Sequence, residues 1–427
     1  MQVRSLPVLQ NWDCHSCGDC CRSYAVPATA EERRRIEGQG WESLPEFQGV
    51  PFFVKRGGEF YLNHRADGGC VFLGADNLCR IHGKFGSAAK PLACRIYPFL
   101  LVPAGDHWNL GLRLACPSAA ENKGRALSAQ LGDAREYAAF FESTTSKAAL
   151  EAPPPPLQGT QVVSWGDVAR IATAFSKLLT NEVDPFERRW RKILSIIMML
   201  RKATFDGGGD PKKAVTGGKL SEMLHVLGLA ADDEEPKAAT EVKRPGWAGR
   251  TVFRQLVAVF ARKDHGAEKG TAQRGPVSRF MSAVKFASAR GRVPKVHAVL
   301  PDSATFAAGE VPLGALSDTT VALLSRWHRM KIESLQFCGA PNFGLSVWEG
   351  LESLALTFPA AMWLARVLVA GGKTPDAAVT QAVRMVDDNF GFNPLLGSVR
   401  QKFALRLIAN RGDLPRLVAW YGRASDK

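Results

Sequence analysis

One sequence feature constrains this chain more than any other: eight of its nine cysteines lie within the first 116 residues. Four form a CxxCxxCC motif and four follow at wider spacing, namely Cys14, Cys17, Cys20, Cys21, Cys70, Cys79, Cys94 and Cys116. Thiolates are the soft ligands that select zinc and iron–sulfur clusters, and a CxxC step turns two sulfurs toward one ion. The pattern therefore predicts eight metal ligands, enough for two four-sulfur centres. Cys338 stands alone and is most simply a buried small residue.

The division of the eight cysteines between centres is left open by the sequence. Cys20 and Cys21 are adjacent and point in different directions, so we expect them to serve different centres, or one of them to bind no metal. Metal binding would then help to fold this region. Three histidines are second choices as ligands: His15, His64 and His82. Three arginines directly follow a cysteine and either offset the charge of the thiolates or are ordinary surface residues: Arg22, Arg80 and Arg95.

The start of the chain shows no targeting pattern. Residues 1–12 contain neither a long apolar core nor a small-residue cleavage site. Uninterrupted apolar runs such as 196–200 are far shorter than the roughly 20 residues of a membrane helix. These features predict a cytoplasmic protein without a membrane span. Thiols in the cytosol stay reduced, which favours metal binding over the alternative that the cysteines form disulfides.

The spacing of apolar and turn residues predicts an α+β protein. Residues 1–122 are predicted to form a small cysteine-rich metal-binding domain, with hairpins at 52–62 and 100–114 and a further strand at 70–73. Residues 123–427 are predicted to be mostly α-helical, with a stiff proline-rich spacer at 153–156. A hydrophobic content of 46% supports a substantial buried core.

Caps and prolines predict where the helices begin. Thr29 and Glu32 form a capping-box pattern for a helix that ends near Gly38. Ser164 and Pro185 mark the starts of two later helices. Further helices are predicted at 119–142, 220–229, 249–262, 276–290, 317–335, 346–370, 374–391 and 396–409, with a loop at 205–218 and a charged, mobile stretch at 230–245.

The positive charge of the chain is concentrated beyond the cysteine-rich region. Residues 1–121 hold 13 Lys and Arg against 12 Asp and Glu, so 42 of the 55 basic and 29 of the 41 acidic residues follow them. This excess suits an acidic protein partner or phosphate, and the alternative is a set of solvated helix faces with a basic bias. No compact Lys/Arg run or nucleic-acid motif accompanies it, which argues against nucleic acid as a partner.

Four motifs around the cysteines resemble a known family, the CxxCxxCC or YkgJ-like family. They are Cys14-x-x-Cys17-Gly18-x-Cys20-Cys21-Arg22, Cys70-x-Phe72-Leu73, Leu78-Cys79-x-Ile81-His82 and Pro91-x-x-Cys94-Arg95-x-Tyr97-Pro98-Phe99. The resemblance implies zinc or iron chelation. The stretches 82–86 and 114–120 are also similar to the flagellin lysine N-methylase branch of the same superfamily. That likeness implies methyl transfer from S-adenosylmethionine to lysines of a protein substrate, near an iron–sulfur centre.

Three functions follow from these observations. The first is a metal-binding protein, with zinc or an iron–sulfur cluster in a redox, chelating or structural role. The second is a cluster-dependent protein-lysine methylase, which rests on resemblance alone because the glycines at 207–209 follow a helix instead of a strand and no CxxxCxxC motif is present. The third is an interaction module in which zinc is purely structural.

Overall fold

The computed structural model describes residues 1–425 except 7, 9, 204, 206–213 and 264–274. The predicted loop at 205–218 therefore lies largely outside the described residues, and the glycines at 207–209 lie wholly outside them. Within the described ranges the chain has short strands near its N-terminus and is otherwise mostly helical, which confirms the predicted α+β class.

The strands form two small sheets in the described part of the chain. They are β1 Gln2–Arg4, β2 Phe53–Arg56, β3 Glu59–Leu62, β4 Phe99–Ala104 and β5 His107–Leu112. The antiparallel pairs β2–β3 and β4–β5 confirm both predicted hairpins. Strand β1 pairs in parallel with β5, with Val3 opposite Trp108, and makes β5 the central strand of its sheet. The sequence analysis missed β1 because three residues are too few for a periodic pattern.

Most predicted helices are present, with boundaries shifted by a few residues. The α-helices of the described ranges are α1 Asp19–Ser23, α2 Ala30–Glu37, α3 Arg80–Phe85, α4 Leu92–Ile96, α5 Pro117–Ala120, α6 Leu131–Thr144, α7 Lys147–Leu150, α8 Trp165–Leu178, α9 Phe186–Leu200, α10 Gly217–Glu234, α11 Trp247–Ala261, α12 Pro276–Ser288, α13 Asp318–Glu333, α14 Val347–Ala370, α15 Pro375–Asn389, α16 Val399–Asn410 and α17 Asp413–Gly422. The capping box of α2 is confirmed, since Thr29 Oγ1 accepts from the Glu32 amide at 3.2 Å and Glu32 Oε2 accepts from the Thr29 amide at 2.8 Å. Helix α17 was not predicted.

Two hydrophobic cores lie side by side. The larger one runs from Val3 to Tyr421 and joins the β1–β5–β4 sheet to the helices. The smaller one is built around Phe72, whose ring lies 5.3 Å from Trp41, 5.6 Å from Phe47 and 5.3 Å from Phe52. Residues 99–120 thus share a core with the helical region, while residues 36–81 have a core of their own. The domain boundary at residue 122 stays a prediction.

The predicted strand at 70–73 is wrong. Val71, Phe72 and Leu73 are all buried, so this segment is a turn inserted into the small core and not an alternating strand. Its backbone is paired one residue at a time: the Val71 amide donates to Asn63 O at 3.0 Å, and the Phe72 carbonyl accepts from the Arg80 amide at 2.9 Å. Consecutive burial imitates a strand pattern but reflects enclosure on all sides.

The single helix predicted at 119–142 is also wrong, because two helices, α5 and α6, are separated by a loop. The backbone of that loop bonds to the residues before the first cysteine motif: the Trp12 amide donates to Arg125 O at 2.8 Å and the Leu127 amide to Gln10 O at 2.7 Å. Gly124 has a φ of +105°, which permits the close approach. Tertiary pairing therefore overrides the helical composition of this segment.

Helix α10 continues to Glu234, well past the predicted end at 229. The first residues of the stretch at 230–245, which was predicted to be mobile, are therefore helical. Carboxylates in and just after this last turn pair with a buried basic patch of α9. Asp232 accepts from Arg188 at 2.9 Å and from Lys192 at 2.6 Å, and Glu235 accepts from Arg191 at 2.9 Å. These three cations are at most 5% exposed. Part of the basic excess is therefore neutralised inside the fold and is not a solvated face.

Helix α14 is long and apolar enough, by length and composition, to cross a membrane. An 18-residue stretch of it has a mean hydropathy of 1.6, and 83% of that stretch is buried inside the protein. Counting uninterrupted apolar runs overlooked this helix because single residues such as Thr357 and Arg366 break the runs. The lack of a membrane span stays a prediction.

Candidate metal centre

The segment before the first cysteine is pinned to the loop that follows the last one. Asp13 accepts from the Arg125 amide at 2.8 Å and from its guanidinium at 2.8 Å. His15 Nδ1 then lies 3.0 Å from Ser118 Oγ. Since Ser118 is two residues after Cys116, this pairing brings the start of the CxxCxxCC motif beside the last cysteine of the set.

Substituting Gly124 with alanine should disturb this arrangement. A Cβ there would lie 2.4 Å from the Asp13 amide nitrogen, so the backbone before Cys14 must move. We expect a loss of stability of about 1–3 kcal/mol from the positive φ alone, plus a further loss from the collision and a reduced metal content. Gly49→Ala is the matched control, because Gly49 also has positive φ (+71°) but has nothing within 4 Å of its added Cβ. Equal melting and metal content in the two variants would contradict the prediction.

The first two cysteines lie on an irregular segment and the next two on a short helix. Cys14 and Cys17 are exposed. Gly18, with φ +71°, turns the chain into α1, which carries Cys20 and Cys21. Their sulfurs are 4.0 Å apart, within the distance of a weak thiol hydrogen bond.

Three cysteines from distant parts of the sequence meet α1. The Cys70 amide donates to Cys21 O at 2.9 Å, which ties the buried turn at 70–73 to this helix. Cys79 is the N-terminal cap residue of α3 and Cys94 lies within α4. All of them border one cavity of about 220 Å³, whose cysteines are Cys20, Cys21, Cys70, Cys79 and Cys94.

The other three predicted ligands do not line this cavity. Cys14 and Cys17 precede it along the chain, and Cys116 is the buried cap residue of α5 at the edge of the larger core. In the ranges that the structure describes, no three side chains of His, Cys, Asp or Glu are arranged to hold a metal ion as they stand. The structure thus brings five thiols to one cavity without drawing them into a closed coordination sphere.

Burial keeps the thiols of Cys70 and Cys94 protonated when no metal is bound. It raises the pKa of Cys70 to about 11 and raises the pKa of Cys94 further. The pKa of Cys20 is raised first by its hydrogen bond with Cys21 and then by burial. Since metals bind the thiolate, a metal entering this cavity displaces these protons.

The cations beside the thiols are not the arginines singled out from the sequence. Arg22 donates to Asn77 Oδ1 at 2.8 Å, and Arg80 and Arg95 pair with Glu46 and Glu136. The cavity is lined instead by Tyr24, Lys90 and Arg113, which lie outside the quoted cysteine motifs, and by Tyr97 of the fourth motif. Their positions could not be read from motif spacing, because each depends on how separate segments pack.

One of the second-choice histidines lines the same cavity. His64 Nε2 is buried without a hydrogen-bond partner, and burial lowers the pKa of this imidazole. A neutral imidazole with a free nitrogen is a competent metal ligand. His15 Nδ1 lies within hydrogen-bond distance of Ser118 Oγ, and His82 is exposed; neither histidine lines the cavity. The donor set of thiols and one unpartnered imidazole fits zinc or iron.

An ion-pair network joins this site to the helical region. Asp388 of α15 accepts from Tyr24 at 2.7 Å, from Arg113 at 2.7 Å and from Lys263 at 2.6 Å. The preceding Asp387 accepts from the Ala115 amide at 3.0 Å and pairs with Lys331 at 2.8 Å. Neighbouring carboxylates of one helix thus hold residues next to the cavity and next to Cys116.

Residues 13–121 match the CxxCxxCC family model, described as a "putative zinc- or iron-chelating domain". Residues 13–121 are therefore similar to this domain family. This confirms the resemblance seen in the cysteine motifs and supports zinc or iron chelation. Comparison with curated proteins and with solved structures finds no match. The likeness to the flagellin lysine N-methylase branch is not shown, so methyl transfer and S-adenosylmethionine binding stay predictions.

Proposed function

We propose that the CxxCxxCC domain chelates zinc or iron in two adjacent centres and that the metal fastens its short segments together. The observation that carries the proposal is the meeting of five thiols from α1, the turn at 70–73, α3 and α4 around one cavity. These elements are only a few residues long, so a metal that crosslinks them adds stability that the small aromatic core lacks.

The division of ligands follows the packing. Four cysteines belong to the small core or pack against it, and we assign them to the first centre: Cys21, Cys70, Cys79 and Cys94. The second centre takes the remaining four: Cys14, Cys17, Cys20 and Cys116. Cys20 lies between the two groups, because its charge adds to the burial that raises the pKa of Cys17 and Cys116 and also to the burial that raises the pKa of Cys70 and Cys94.

The resident metal would be held by thiolates, with His64 available as a nitrogen donor. Zinc would supply a redox-inert crosslink, and iron with sulfide would supply an electron-transfer centre. The protein residues fix the cavity, exclude solvent from it and provide positive charge through Lys90 and Arg113. We favour a structural and chelating role, because the four thiols of the first centre lie on four separate short segments that a metal would join.

Metal analysis and an absorption spectrum on one anaerobically purified sample test this proposal. Zinc without colour identifies the structural centre, whereas iron with matching sulfide and visible absorption identifies a cluster. A well-folded protein with no bound metal of either kind would overturn the proposal.

The double variant Cys14→Ser, Cys17→Ser should remove the second centre and leave the first. We expect the metal content per chain to fall by about half, with a smaller loss of stability than in variants of the buried cysteines, because both side chains are exposed. The matched measurement is Cys70→Ser, Cys79→Ser, which should remove the complementary half. If each double variant loses all of the bound metal, the domain has a single centre and the proposed division of the cysteines between two centres is wrong.

A further inference from the structure

Helix α12 turns an apolar face to solvent. Its exposed residues Val277, Phe280, Met281 and Val284 follow the i, i+3, i+4, i+7 spacing, and their exposed fractions are 74%, 68%, 49% and 42%. At 3.6 residues per turn they span an arc of about 100°, which is the width of a stripe that normally packs on a core. We call these four residues the outer face of α12.

The opposite side of α12 is firmly attached to the protein. Phe286 is buried and its ring lies 5.3 Å from that of Phe306. Arg254 Nε donates to Phe286 O at 3.1 Å, and Gln255 Nε2 donates to Ala283 O at 2.7 Å. The outer face is therefore held outward by α11, and the helix cannot bury it without breaking these bonds.

The charged residues of α12 and of the stretch that directly follows it are all basic. Between residues 275 and 301 there is no Asp or Glu. Four exposed cations lie on the helix or just after it, at Arg279, Lys285, Arg290 and Arg292. Among the residues that the structure describes, none of the four is in an ion pair, unlike the buried cations of α9. An exposed apolar stripe flanked by unneutralised cations is typical of helices that lie in the plane of a membrane surface.

We propose that the outer face of α12 binds an anionic membrane surface. The stripe would insert at the level of the lipid headgroups, and Lys285, Arg290 and Arg292 would contact lipid phosphates and carboxylates, whereas Arg279 lies on the side of Phe286. The lack of Asp and Glu between residues 275 and 301 favours this occupant, since a groove on another protein would present its own mixture of charges. The proposed membrane binding does not depend on metal chelation. The outcome of a test of one proposal leaves the other unchanged.

Cosedimentation of the full chain with vesicles tests the proposal. We expect binding to phosphatidylcholine vesicles that contain phosphatidylserine, weak binding to phosphatidylcholine alone, and release at high salt. The variant Phe280→Ser, Met281→Ser should bind at least about tenfold more weakly, because two large side chains no longer enter the bilayer. Arg290→Gln, Arg292→Gln should weaken binding by about tenfold or more, since each cation near the surface contributes about fivefold.

The matched control is Val226→Ser, Leu229→Ser on α10. These side chains are 60% and 58% exposed, but acidic residues such as Glu222 and Asp233 share their helix. The control should bind like the unaltered chain. Equal loss in both double variants, or no binding to anionic vesicles, would overturn the proposal. A dimer that dissociates only when Phe280 and Met281 are replaced would also overturn it, and would assign the face to a second copy of the chain.

Discussion

Replacing Cys94 with serine is expected to have the largest effect of any single substitution, with loss of the first metal centre and unfolding of the segments that it joins. Cys94 lies on α4, is partly buried, and borders the cavity together with the cysteines of α1 and of the turn at 70–73. Zinc binding contributes about 10–16 kcal/mol to the folding of small zinc domains at neutral pH, and a hydroxyl is a poor replacement for a thiolate. We expect reduced metal content and an early unfolding transition of the N-terminal domain.

Cys338→Ser provides the control for this experiment. Cys338 is buried, at 2% exposure, but it lies in the larger core and does not line the cysteine cavity. Its substitution should cost stability through burial of an added hydroxyl while the metal content stays unchanged. Unchanged metal content in Cys94→Ser, or an equal loss of metal in both variants, would remove Cys94 from the ligand set.

Asp388→Asn should destabilise the junction between the two regions by about 3–5 kcal/mol. The side chains of Asp388, Arg113 and Lys263 are 14%, 13% and 11% exposed, so removing the carboxylate charge leaves two cations buried without their partner. Differential scanning calorimetry should show a lower melting temperature, and limited proteolysis should cut the cysteine-rich region more readily. Asp302→Asn is the control, because Asp302 pairs with Lys295 at an exposed position and such pairs contribute about 0–1 kcal/mol.

The Asp388 carboxylate also makes the free energy of unfolding depend on pH. Burial by itself would raise the pKa of Asp388, but Lys263 and Arg113 outweigh it and hold the pKa below the ordinary value of 3.8. The folded state therefore holds this proton less tightly than the unfolded state does. The stabilisation is present above the ordinary pKa and is lost as the pH falls below it. The Asn variant should lack this part of the acid dependence, and an identical pH profile in both proteins would contradict the assignment.

The sequence predicted the local features of the site and missed those that depend on distant segments. The cysteines, the capping box at Thr29 and both hairpins were predicted because each is marked by a short pattern. The pairing of Arg113 beside the cavity with Asp388 was not, since nothing near Arg113 in the sequence indicates Asp388, which lies 275 residues further on.

The distribution of charge shows the same limit. Arg188 and Arg191 were counted with a basic surface, yet both are buried against carboxylates more than 40 residues away. A count of charges along the chain does not show which of them will meet. The strand predicted at 70–73 is wrong for a related reason. The apolar residues of this turn are enclosed by segments that lie on either side of it in the sequence.

The pairing of residues 10–13 with the loop at 123–127 also sets an order of events during synthesis. The first cysteine motif leaves the ribosome early, but the backbone that pins it in place follows only after more than a hundred further residues. At about 5–20 residues per second, this interval lasts roughly 5–20 s. During that time the nascent chain carries four closely spaced, unprotected thiols. Under the proposed chelation, the metal that the domain acquires therefore depends on the timing of synthesis and on protection of these thiols as well as on metal affinity.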